Sequence, residues 1–576
     1  MSRSRDASPH HAPSQASSTV VAPGWGAGGG EDELDPDGSA RRALEIAVDR
    51  TGLYRSIEAA HGDEDGDDGR RLEGLEGHLA SVIKFRGGPI TLAEYMQEAL
   101  THPEFGYYMK RDVFGVGGDF ITSPEISQVF GELLGVWAIS TWQQMGKPAN
   151  LRLVELGPGR GTLMGDLLRG TGRFKEFTAA TTVHLVEVSP ELRKIQRETL
   201  KCTDSAATGG KVYDTDEVGK MLASIRVAPN PLTSGGEKVE NMDRGGQSSG
   251  GSTPEDLGWT HVDRGVSGLN GRPVEWHESL EAVPAGPTIF IAHEFFDAMP
   301  VHQFTRTERG WCEKLVALRG QAPRPASSDA DDKRGDEAAT QDATGGKGGD
   351  APALELVLSP GLTPAAALLI PKRLQGMTED QRSSLRSLEI SPRTLAIWER
   401  IAARLEQHGG AAIAIDYGNE GPLGNTLFAI KQHKFCDLLT APGTADLSAY
   451  VDFGAMRQVI ENRDVTPGAT YSGVECFGPV TQQELLISLG IGTRLEALID
   501  ACKTQEEADR LIEGCTRLVS GDATPGEGAG SGYEVSEGDN GEEEDRPSPP
   551  GMGIRYKAIA MVSKGLGVPV GFQRVD

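Results

Sequence analysis

Residues 154–169 read VELGPGRGTLMGDLLR, where an apolar run leads into alternate glycines and then into leucines at helical spacing. This order predicts a buried strand, a tight loop and an amphipathic helix. Glycine is needed in such a loop where the backbone takes a positive φ or where a ligand touches the main chain. The stretch therefore predicts a strand–loop–helix unit of an α/β fold with a small-molecule site at the loop.

The glycines of this loop are Gly157, Gly159 and Gly161. The dinucleotide fingerprint G-x-G-x-x-G would require a glycine where the chain has Thr162, which disfavours a nucleotide-dependent oxidoreductase. Glu155 stands two residues before the first glycine, as in the E/D-x-G-x-G-x-G pattern of S-adenosylmethionine-dependent methyltransferases. We predict that Glu155 and the three glycines contribute to a cofactor site.

A second acid, Glu187, closes the next predicted strand in HLVEVS, residues 184–189. A carboxylate at this position can accept hydrogen bonds from both hydroxyls of a ribose. Together with the glycine loop, Glu187 favours a nucleoside site. The alternative is a tight turn without a ligand, in which Glu187 only caps the following helix.

The composition indicates that part of the 576 residues does not fold, because the hydrophobic fraction is 38% and there are 75 glycines. Four stretches rich in Gly, Ser or acidic residues are predicted to be disordered tails or insertions: 1–80, 203–270, 320–352 and 521–550. Three of them carry most of the net charge of −27, so the folded remainder is only mildly acidic. No clustered basic face is expected, and nucleic-acid binding is not indicated.

The six cysteines are scattered without a C-x-x-C pair, which predicts free thiols in a reducing compartment and no metal site. No apolar run approaches the roughly 18 residues that a bilayer-spanning helix needs, so no membrane span is expected. The first thirty residues contain arginines, many serines and a single acid. That composition is typical of an organelle transit peptide, although no amphipathic stripe accompanies it.

The remaining sequence alternates between predicted strands and helices. Runs that are apolar on both faces predict central parallel strands covered by helices, at 151–156, 183–188, 288–295 and 411–418. One more strand is predicted at 556–562, and helices are predicted at 89–101, 127–145, 191–200 and 391–407. We therefore predict an α/β fold with a Rossmann-like sheet behind an N-terminal helical region.

Seven motifs follow one another in order: GPITLAEYMQEALTHPEFGYY, GDFITSPEISQVFGELLGVW, LVELGPGRGTLMGDLLR, HLVEVSPELRKIQ, AHEFFDAMPVHQF, PGTADLSAYVDF and GPVTQQELLISLGI. Together they resemble the MidA family, whose mitochondrial members are protein arginine methyltransferases that assist assembly of respiratory complex I. The resemblance covers residues 85–200, 273–318, 354–515 and 551–573. Tyr450 departs from it, because histidine is frequent there in the family, so no role of that ring carries over.

The resemblance implies a seven-stranded methyltransferase sheet with a helical insertion, and S-adenosylmethionine as cofactor. It further implies symmetric dimethylation of an arginine in a complex I core subunit, in the mitochondrial matrix. A non-enzymatic assembly chaperone that keeps the cofactor-binding fold is the alternative. The domain layout we expect is a transit or disordered region at 1–80, a helical cap at 81–150, a core at 151–442 interrupted by insertions 203–270 and 320–352, a helical substrate-side subdomain at 443–520, a disordered insertion at 521–550 and a last core strand within 551–576.

The stretch IAHEFFDAMPV, residues 291–301, places His293, Glu294 and Asp297 at the carboxyl end of a predicted strand, where open α/β sheets bind ligands. An arginine methyltransferase must hold a guanidinium with carboxylates and accept a proton as the methyl transfers. Glu294 and Asp297 are three residues apart and can face one pocket on a turn or a first helical turn. Alternatively they only stabilise a helix start, and His293 is either a proton acceptor or an ordinary hydrogen-bonding residue.

The stretch GDFITSPEISQ, residues 118–128, predicts a helix start with Ser123 as N-cap and Pro124 at the first helical position. Its place before the cofactor strand and the family resemblance favour a lid over the cofactor, to which Asp119 and Ser123 would contribute. Asp416 and Tyr417, at the end of a predicted strand, point to the same rim, or they only pack against their neighbours.

Overall fold

A computed structural model describes residues 73–109, 121–203, 263–320, 353–522 and 551–573 of the chain. The transit segment, most of the three predicted insertions and Asp119 lie outside the described residues. At two margins the prediction of disorder is wrong: a helix begins at Gly74, and a strand occupies Asp263–Val266. The helix is stabilised by buried Leu75 and Leu79, and the strand by hydrogen bonds to its neighbour, so neither depends on a long apolar run.

The helices of the described chain are, in order, α1 (Gly74–Arg86), α2 (Leu92–Thr101), α3 (Ser123–Ile126), α4 (Gln128–Gln144), α5 (Thr162–Thr171), α6 (Lys175–Ala180), α7 (Pro190–Thr199), α8 (Pro364–Arg373), α9 (Glu379–Ser384), α10 (Pro392–His408), α11 (Phe453–Glu461), α12 (Gln482–Ser488), α13 (Ile491–Ile499), α14 (Gln505–Val519) and α15 (Met552–Arg555). The four helices predicted from the sequence are confirmed as α2, α4, α7 and α10, within a few residues at each end. None of the helices in these ranges is long and apolar enough to cross a bilayer.

The strands are numbered β1 to β17 along the chain and form three sheets. The central sheet contains β2 (Leu151–Leu156), β3 (Thr181–Val186), β4 (Asp263–Val266), β5 (Pro273–His277), β6 (Thr288–His293), β11 (Gly410–Asn419), β15 (Val451–Asp452), β16 (Val474–Thr481) and β17 (Tyr556–Ser563). The second contains β1 (Ile90–Thr91), β7 (His302–Thr307), β8 (Gly310–Leu318), β9 (Leu354–Leu358) and β10 (Ser387–Ile390). The third contains β12 (Phe428–Lys431), β13 (Lys434–Cys436) and β14 (Asp446–Ser448).

The main path of the central sheet runs β16-β17-β11-β6-β2-β3-β5-β4. The five strands from β11 to β5 are parallel, whereas β17 is antiparallel to both of its neighbours. The sheet has nine strands rather than seven, because β4 adds an antiparallel edge and β15 pairs with the end of β11. Strand β2 lies between β3 and β6, so the chain order reverses there, and ligands bind at such a switch point in open α/β sheets.

The sheet is covered on both faces, as the doubly apolar strands predict. On one face Leu153 and Ile289 belong to a core cluster that includes Trp137 of α4 and Leu167 of α5. On the other face Phe290 belongs to a separate cluster that draws on α10 and α11. Because both faces are buried, the carboxyl ends of the strands are the part of the sheet open to a ligand.

The range 443–520 is not purely helical, which corrects the expected substrate-side subdomain. It also contains β14, β15 and the central-sheet strand β16. Strand β16 has no fully buried residue and contains a Gly-Pro pair, so its sequence lacks the apolar run that marked the central strands. The hydrogen bonds to β17 fix it in the sheet.

Candidate functional site

The glycine loop joins β2 to α5 and has the backbone geometry that its sequence predicts. Gly157, Gly159 and Gly161 have φ values of 62°, 52° and 78°, all in the left-handed region that favours glycine. A Cβ atom on Gly157 would lie 2.7 Å from the ring of Phe295. A side chain at Gly157 would therefore clash with Phe295 unless the ring moved, so the loop packs directly against the turn that follows β6.

Glu155 is buried near the end of β2, with 3% of its surface exposed. Burial, with a further contribution from the charge of Glu187, raises its pKa to about 8. Its Oε2 atom has no hydrogen-bond partner among the described residues. Glu155 is therefore largely protonated at neutral pH and keeps one unsatisfied polar atom beneath the loop.

Glu187 directly follows β3 and is held by two hydrogen bonds. The backbone N–H of Ser189 donates to its Oε1 at 2.8 Å, and the Gln196 amide donates to its Oε2 at 3.3 Å. Burial nevertheless raises the pKa of Glu187 to about 7. The carboxylate is thus orientated in advance, at the carboxyl end of the strand next to the glycine loop.

Sequence reasoning missed Gln196, which links the loop to Glu187. Its amide nitrogen also donates to the carbonyl oxygen of Gly159 at 2.7 Å, and its carbonyl oxygen accepts from Trp276 Nε1 at 2.9 Å. Gln196 is fully buried on α7, on the same face as Leu192. An amide on the apolar face of an amphipathic helix is the one signal in the sequence that could have identified it.

Glu294 follows β6 and has a left-handed backbone, with φ of 45°. Its backbone N–H donates to the carbonyl oxygen of Ile415 at 3.0 Å, and its Oε1 lies 3.4 Å from the N–H of Ser123. Burial and then the charge of Asp297 raise its pKa to about 8. No helix begins here, because residues 294–300 form turns that lead to β7, so the helix-start alternative for the acid pair is wrong.

Asp297 and Asp416 lie in the same buried cluster. One carboxylate oxygen of Asp416 accepts from the N–H groups of Phe296 and Asp297, at 3.1 and 3.2 Å, and so holds the turn after β6. The Tyr417 hydroxyl donates to Asp297 Oδ2 at 2.5 Å, whereas Oδ1 has no partner among the described residues. Burial raises the pKa of both carboxyl groups, and their mutual repulsion adds to the rise for Asp416.

Aromatic rings line this acidic cluster. The ring of Tyr417 packs edge-on against Tyr450 and Tyr556, with centroids 5.3 and 5.5 Å apart. Within the described part of the chain, no Lys or Arg forms an ion pair with Glu294, Asp297 or Asp416. Arg555 lies near enough for its charge to favour the ionised form of Glu294, but it forms no ion pair with it. Carboxylates and aromatic rings in this arrangement form a site suited to a further cation.

His293 is the last residue of β6 and is 7% exposed. Its ring packs edge-on against Phe130 at 4.8 Å, and its Nε2 lies 3.5 Å from Glu294 Oε1. Burial lowers its pKa to about 3. His293 is brought next to the acids as predicted, but this pKa makes it a poor proton acceptor at neutral pH.

Ser123 is the first residue of α3, and the N-cap is Thr122, so the expected cap is wrong by one position. The Ser123 hydroxyl is buried and lies 3.4 Å from Gln482 Oε1. The Ser123 side chain does not cap α3, and its backbone N–H points to Glu294 Oε1. The structure therefore places the serine beside the predicted acceptor acids.

The chain is similar to known methyltransferases. A family model described as "Putative S-adenosyl-L-methionine-dependent methyltransferase" matches residues 133–469. The chain is 38% identical to the mitochondrial protein arginine methyltransferase NDUFAF7 of Danio rerio, covering 74% of this chain and 78% of the relative. It is 36% identical to the Homo sapiens protein of that name, covering 77% and 79%.

A crystal structure of a Burkholderia thailandensis protein bound to S-adenosyl-homocysteine superimposes with a TM-score of 0.53 at 21% identity. The match covers 86% of this chain and 93% of that one, and at this identity it establishes the fold. The family match and the curated relatives establish the cofactor as S-adenosyl-L-methionine. The chain belongs to this family of S-adenosyl-L-methionine-dependent methyltransferases.

Proposed function

We propose that the chain transfers methyl groups to an arginine of a respiratory complex I core subunit and forms symmetric dimethylarginine in the mitochondrial matrix. The observation that carries the proposal is the buried cluster of Glu294, Asp297 and Asp416, with which no Lys or Arg of the described residues forms an ion pair. The names of the curated relatives, which contain "protein arginine methyltransferase" and "mitochondrial", support the acceptor class and the organelle.

The cofactor half of the site fits S-adenosylmethionine. The loop after β2 has the left-handed backbone that its glycines allow, and the buried Glu155 Oε2 atom two residues before Gly157 has no partner among the described residues. The Glu187 carboxylate, orientated by Gln196, would accept hydrogen bonds from the ribose hydroxyls. When bound, the cofactor supplies an electrophilic methyl group on a sulfonium.

The acceptor half fits a guanidinium. Arginine stays protonated in proteins and presents its N–H donors as a planar fork, so a pair of carboxylates is its natural partner. Burying several carboxylates together is unfavourable, as the raised pKa values of Glu294 and Asp297 show. A guanidinium between them offsets that repulsion, which favours arginine over a neutral acceptor.

Glu294 is the residue best placed to accept the proton that the arginine loses. Its pKa of about 8 is close to the pH at which a base works well, whereas that of His293 is about 3. The N–H of Ser123 and the backbone contact with Ile415 position the carboxylate. We assign Asp297 and Asp416 to binding the guanidinium, and Asp416 also holds the turn after β6. We place residues 443–520, which include Tyr450, on the side of the site that binds the acceptor.

Mass spectrometry of isolated complex I core subunits tests the proposal. Each subunit is incubated with the purified chain and S-adenosylmethionine that carries a deuterated methyl group. We expect deuterated dimethylarginine in one subunit, with the fragment loss of monomethylamine that identifies the symmetric isomer. A Gly157→Val variant is the matched control and should give no label.

One combination of results would contradict the proposal that the chain is an enzyme. If no subunit is labelled, while Gly157→Val restores complex I assembly in cells that lack the chain, the protein acts as a non-enzymatic chaperone. Labelling of lysine instead of arginine would overturn the acceptor assignment but leave the methyltransferase intact.

A further inference from the structure

The short helix α3 contacts the cofactor loop through Glu125. The Thr162 hydroxyl donates to Glu125 Oε1 at 2.5 Å, and Arg160 Nη1 lies 3.3 Å from Glu125 Oε2. Thr162 is the first residue of α5, and Arg160 lies inside the glycine loop. The Glu125 side chain is only 17% exposed, so this contact is shielded from solvent.

The other end of the same helix contacts the acceptor acids. The N–H of Ser123 is directed at Glu294 Oε1 at 3.4 Å, and Ser123 is completely buried. Glu125 and Ser123 are two residues apart on one helical turn. A single turn of helix therefore spans the distance between the cofactor loop and the carboxylate that we assign as proton acceptor.

Helix α3 packs against α14 and leads directly into α4. A Cβ atom on Gly514 of α14 would lie 3.0 Å from the carbonyl oxygen of Ile126, a closeness that glycine permits. The Ser127 hydroxyl accepts from the N–H of Val129 at 3.3 Å and caps α4 directly after α3. Glu125 and Ser123 are therefore joined by a single packed turn of helix, with no loop between them.

We propose that Glu125 is a positioning residue that couples the cofactor loop to Glu294, so that cofactor and arginine each increase the affinity of the chain for the other. The inference rests on the proposed function, because it takes Glu294 as part of the arginine site. Coupling of this kind is reciprocal and typically amounts to about 5- to 150-fold in affinity. An acid that only stabilises a first helical turn would produce no such coupling.

The test measures cofactor affinity with and without an acceptor probe. S-adenosylhomocysteine, which cannot donate a methyl group, is titrated into the full chain by calorimetry, in the absence and presence of saturating N-acetyl-arginine-N-methylamide. We expect the arginine probe to lower the Kd of wild type by at least about 5-fold. The corresponding lysine derivative should have a much smaller effect.

The variants locate the coupling. In Glu125→Ala, the ratio of the Kd values without and with the arginine probe should be close to one, and Thr162→Val should have a similar effect. The double variant should have the same ratio as either single variant, because both changes remove the same contact. Glu125→Gln should recover part of the wild-type ratio, since its amide oxygen still accepts from Thr162. Glu176→Ala is the control, because Glu176 pairs with Lys147 at the surface with 77% of its side chain exposed, and it should keep the wild-type ratio.

Each result decides between two conclusions. A Kd ratio near one in wild type, or an unchanged ratio in folded Glu125→Ala and Thr162→Val, would overturn the coupling. The proposed function would still stand if the complex I subunit is methylated. If wild type binds S-adenosylhomocysteine but the arginine probe neither binds nor is methylated, the acceptor assignment is wrong and the coupling falls with it. A thermal melt of each variant confirms that the comparison is made on folded protein.

Discussion

Glu294 combines two unfavourable features that ordinary packing does not explain. Its left-handed φ of 45° is uncommon for a residue with a side chain, and such strain costs about 1–3 kcal/mol. Its carboxylate is also buried, with 9% of the side chain exposed. Strained, buried acids are concentrated at functional sites, where the surrounding structure holds them in place.

Replacing Glu294 with Gln should lower the methyl-transfer rate by about 10²–10³-fold, the effect of one well-placed electrostatic group at a reacting centre. Cofactor affinity should stay near wild type, because Glu294 belongs to the acceptor half. Combining the change with Asp297→Asn should give far less than the product of the two effects, since both act on one guanidinium. Single-turnover kinetics checks this, and wild-type rates in Glu294→Gln would move the acceptor site towards Asp416.

The pKa of Glu294 also predicts a pH-dependent stability. Its folded-state pKa of about 8 is above the unfolded value of 4.5, so the folded state binds more protons between these limits. Its contribution to the free energy of unfolding is therefore fully present below about pH 4.5 and is lost as the pH rises through about 8. Glu294→Gln removes this loss, so the melting temperature of the variant relative to wild type should increase from pH 6 to pH 9. A difference that stays constant over this range would contradict the assignment.

Glu187→Ala should weaken cofactor binding by about 1.5–3 kcal/mol, the usual range for hydrogen bonds to a charged group. Glu187→Gln should have a smaller effect, because its amide still accepts one hydrogen bond. Calorimetry with ordinary and 2′-deoxy S-adenosylhomocysteine separates a ribose contact from a purely structural role. Equal affinity of wild type for both ligands would exclude the ribose contact.

At the scale of elements, a buried ion pair fixes the second sheet to the central one. Arg373, at the end of α8, donates to both carboxylate oxygens of Asp452, which also accepts from the N–H of Ala455 and so caps α11. The two side chains are only 9% and 13% exposed. Their contact joins a helix that packs on β10 to the helix that follows β15.

Asp452→Ala should lower the free energy of unfolding by about 3–5 kcal/mol, because it leaves the buried Arg373 guanidinium without a carboxylate and with only a long hydrogen bond to Gln458 at 3.5 Å. Arg400→Ala is the matched control: Arg400 pairs with Glu281, and their side chains are 48% and 55% exposed. Exposed pairs of this kind contribute at most about 1 kcal/mol. Urea denaturation of both variants checks the contrast, and equal losses would show that the buried pair is not specially important.

Elements could be predicted where the local sequence determines them, and not elsewhere. The central strands were predictable because consecutive residues such as Ile289 and Phe290, which point to opposite faces of the sheet, are both apolar. Helix α7 was predictable because Ser189 and Pro190 mark its start. The second sheet was missed, since most of its strands are stabilised by pairing with distant segments. Strand β9, for example, buries only Leu354 and pairs with β8 across a long intervening segment.

The same distinction applies to the candidate site. Its glycines and acids were predictable, because a glycine loop and strand-end carboxylates have local signatures. The contact between Tyr417 and Asp297 was not, since it depends on β6 and β11 pairing across more than a hundred residues. The left-handed φ of Glu294 and the role of Gln196 likewise follow from tertiary contacts, which a single sequence does not contain.

At the scale of the whole molecule, the described residues that flank each of the three long internal segments 204–262, 321–352 and 523–550 are hydrogen-bonded to one another. The N–H of Arg319 donates to the carbonyl oxygen of Ala353 at 2.8 Å. Thr203 and Val266 exchange hydrogen bonds at 3.0 and 2.9 Å, and the N–H of Gly551 donates to the carbonyl oxygen of Gly521 at 2.9 Å. Each segment is therefore inserted between residues that already lie side by side.

Deleting residues 325–348 should leave both the fold and cofactor binding intact. The flanking strands β8 and β9 are paired up to Leu318 and Leu354, so a short connection can join them without moving either strand. Each halving of a flexible loop lowers its closure cost by about 0.6 kcal/mol, so the deletion should stabilise the chain slightly. A thermal melt and a titration with S-adenosylhomocysteine check this, and a melting temperature lowered by more than a few degrees would show that the deleted segment packs on the core.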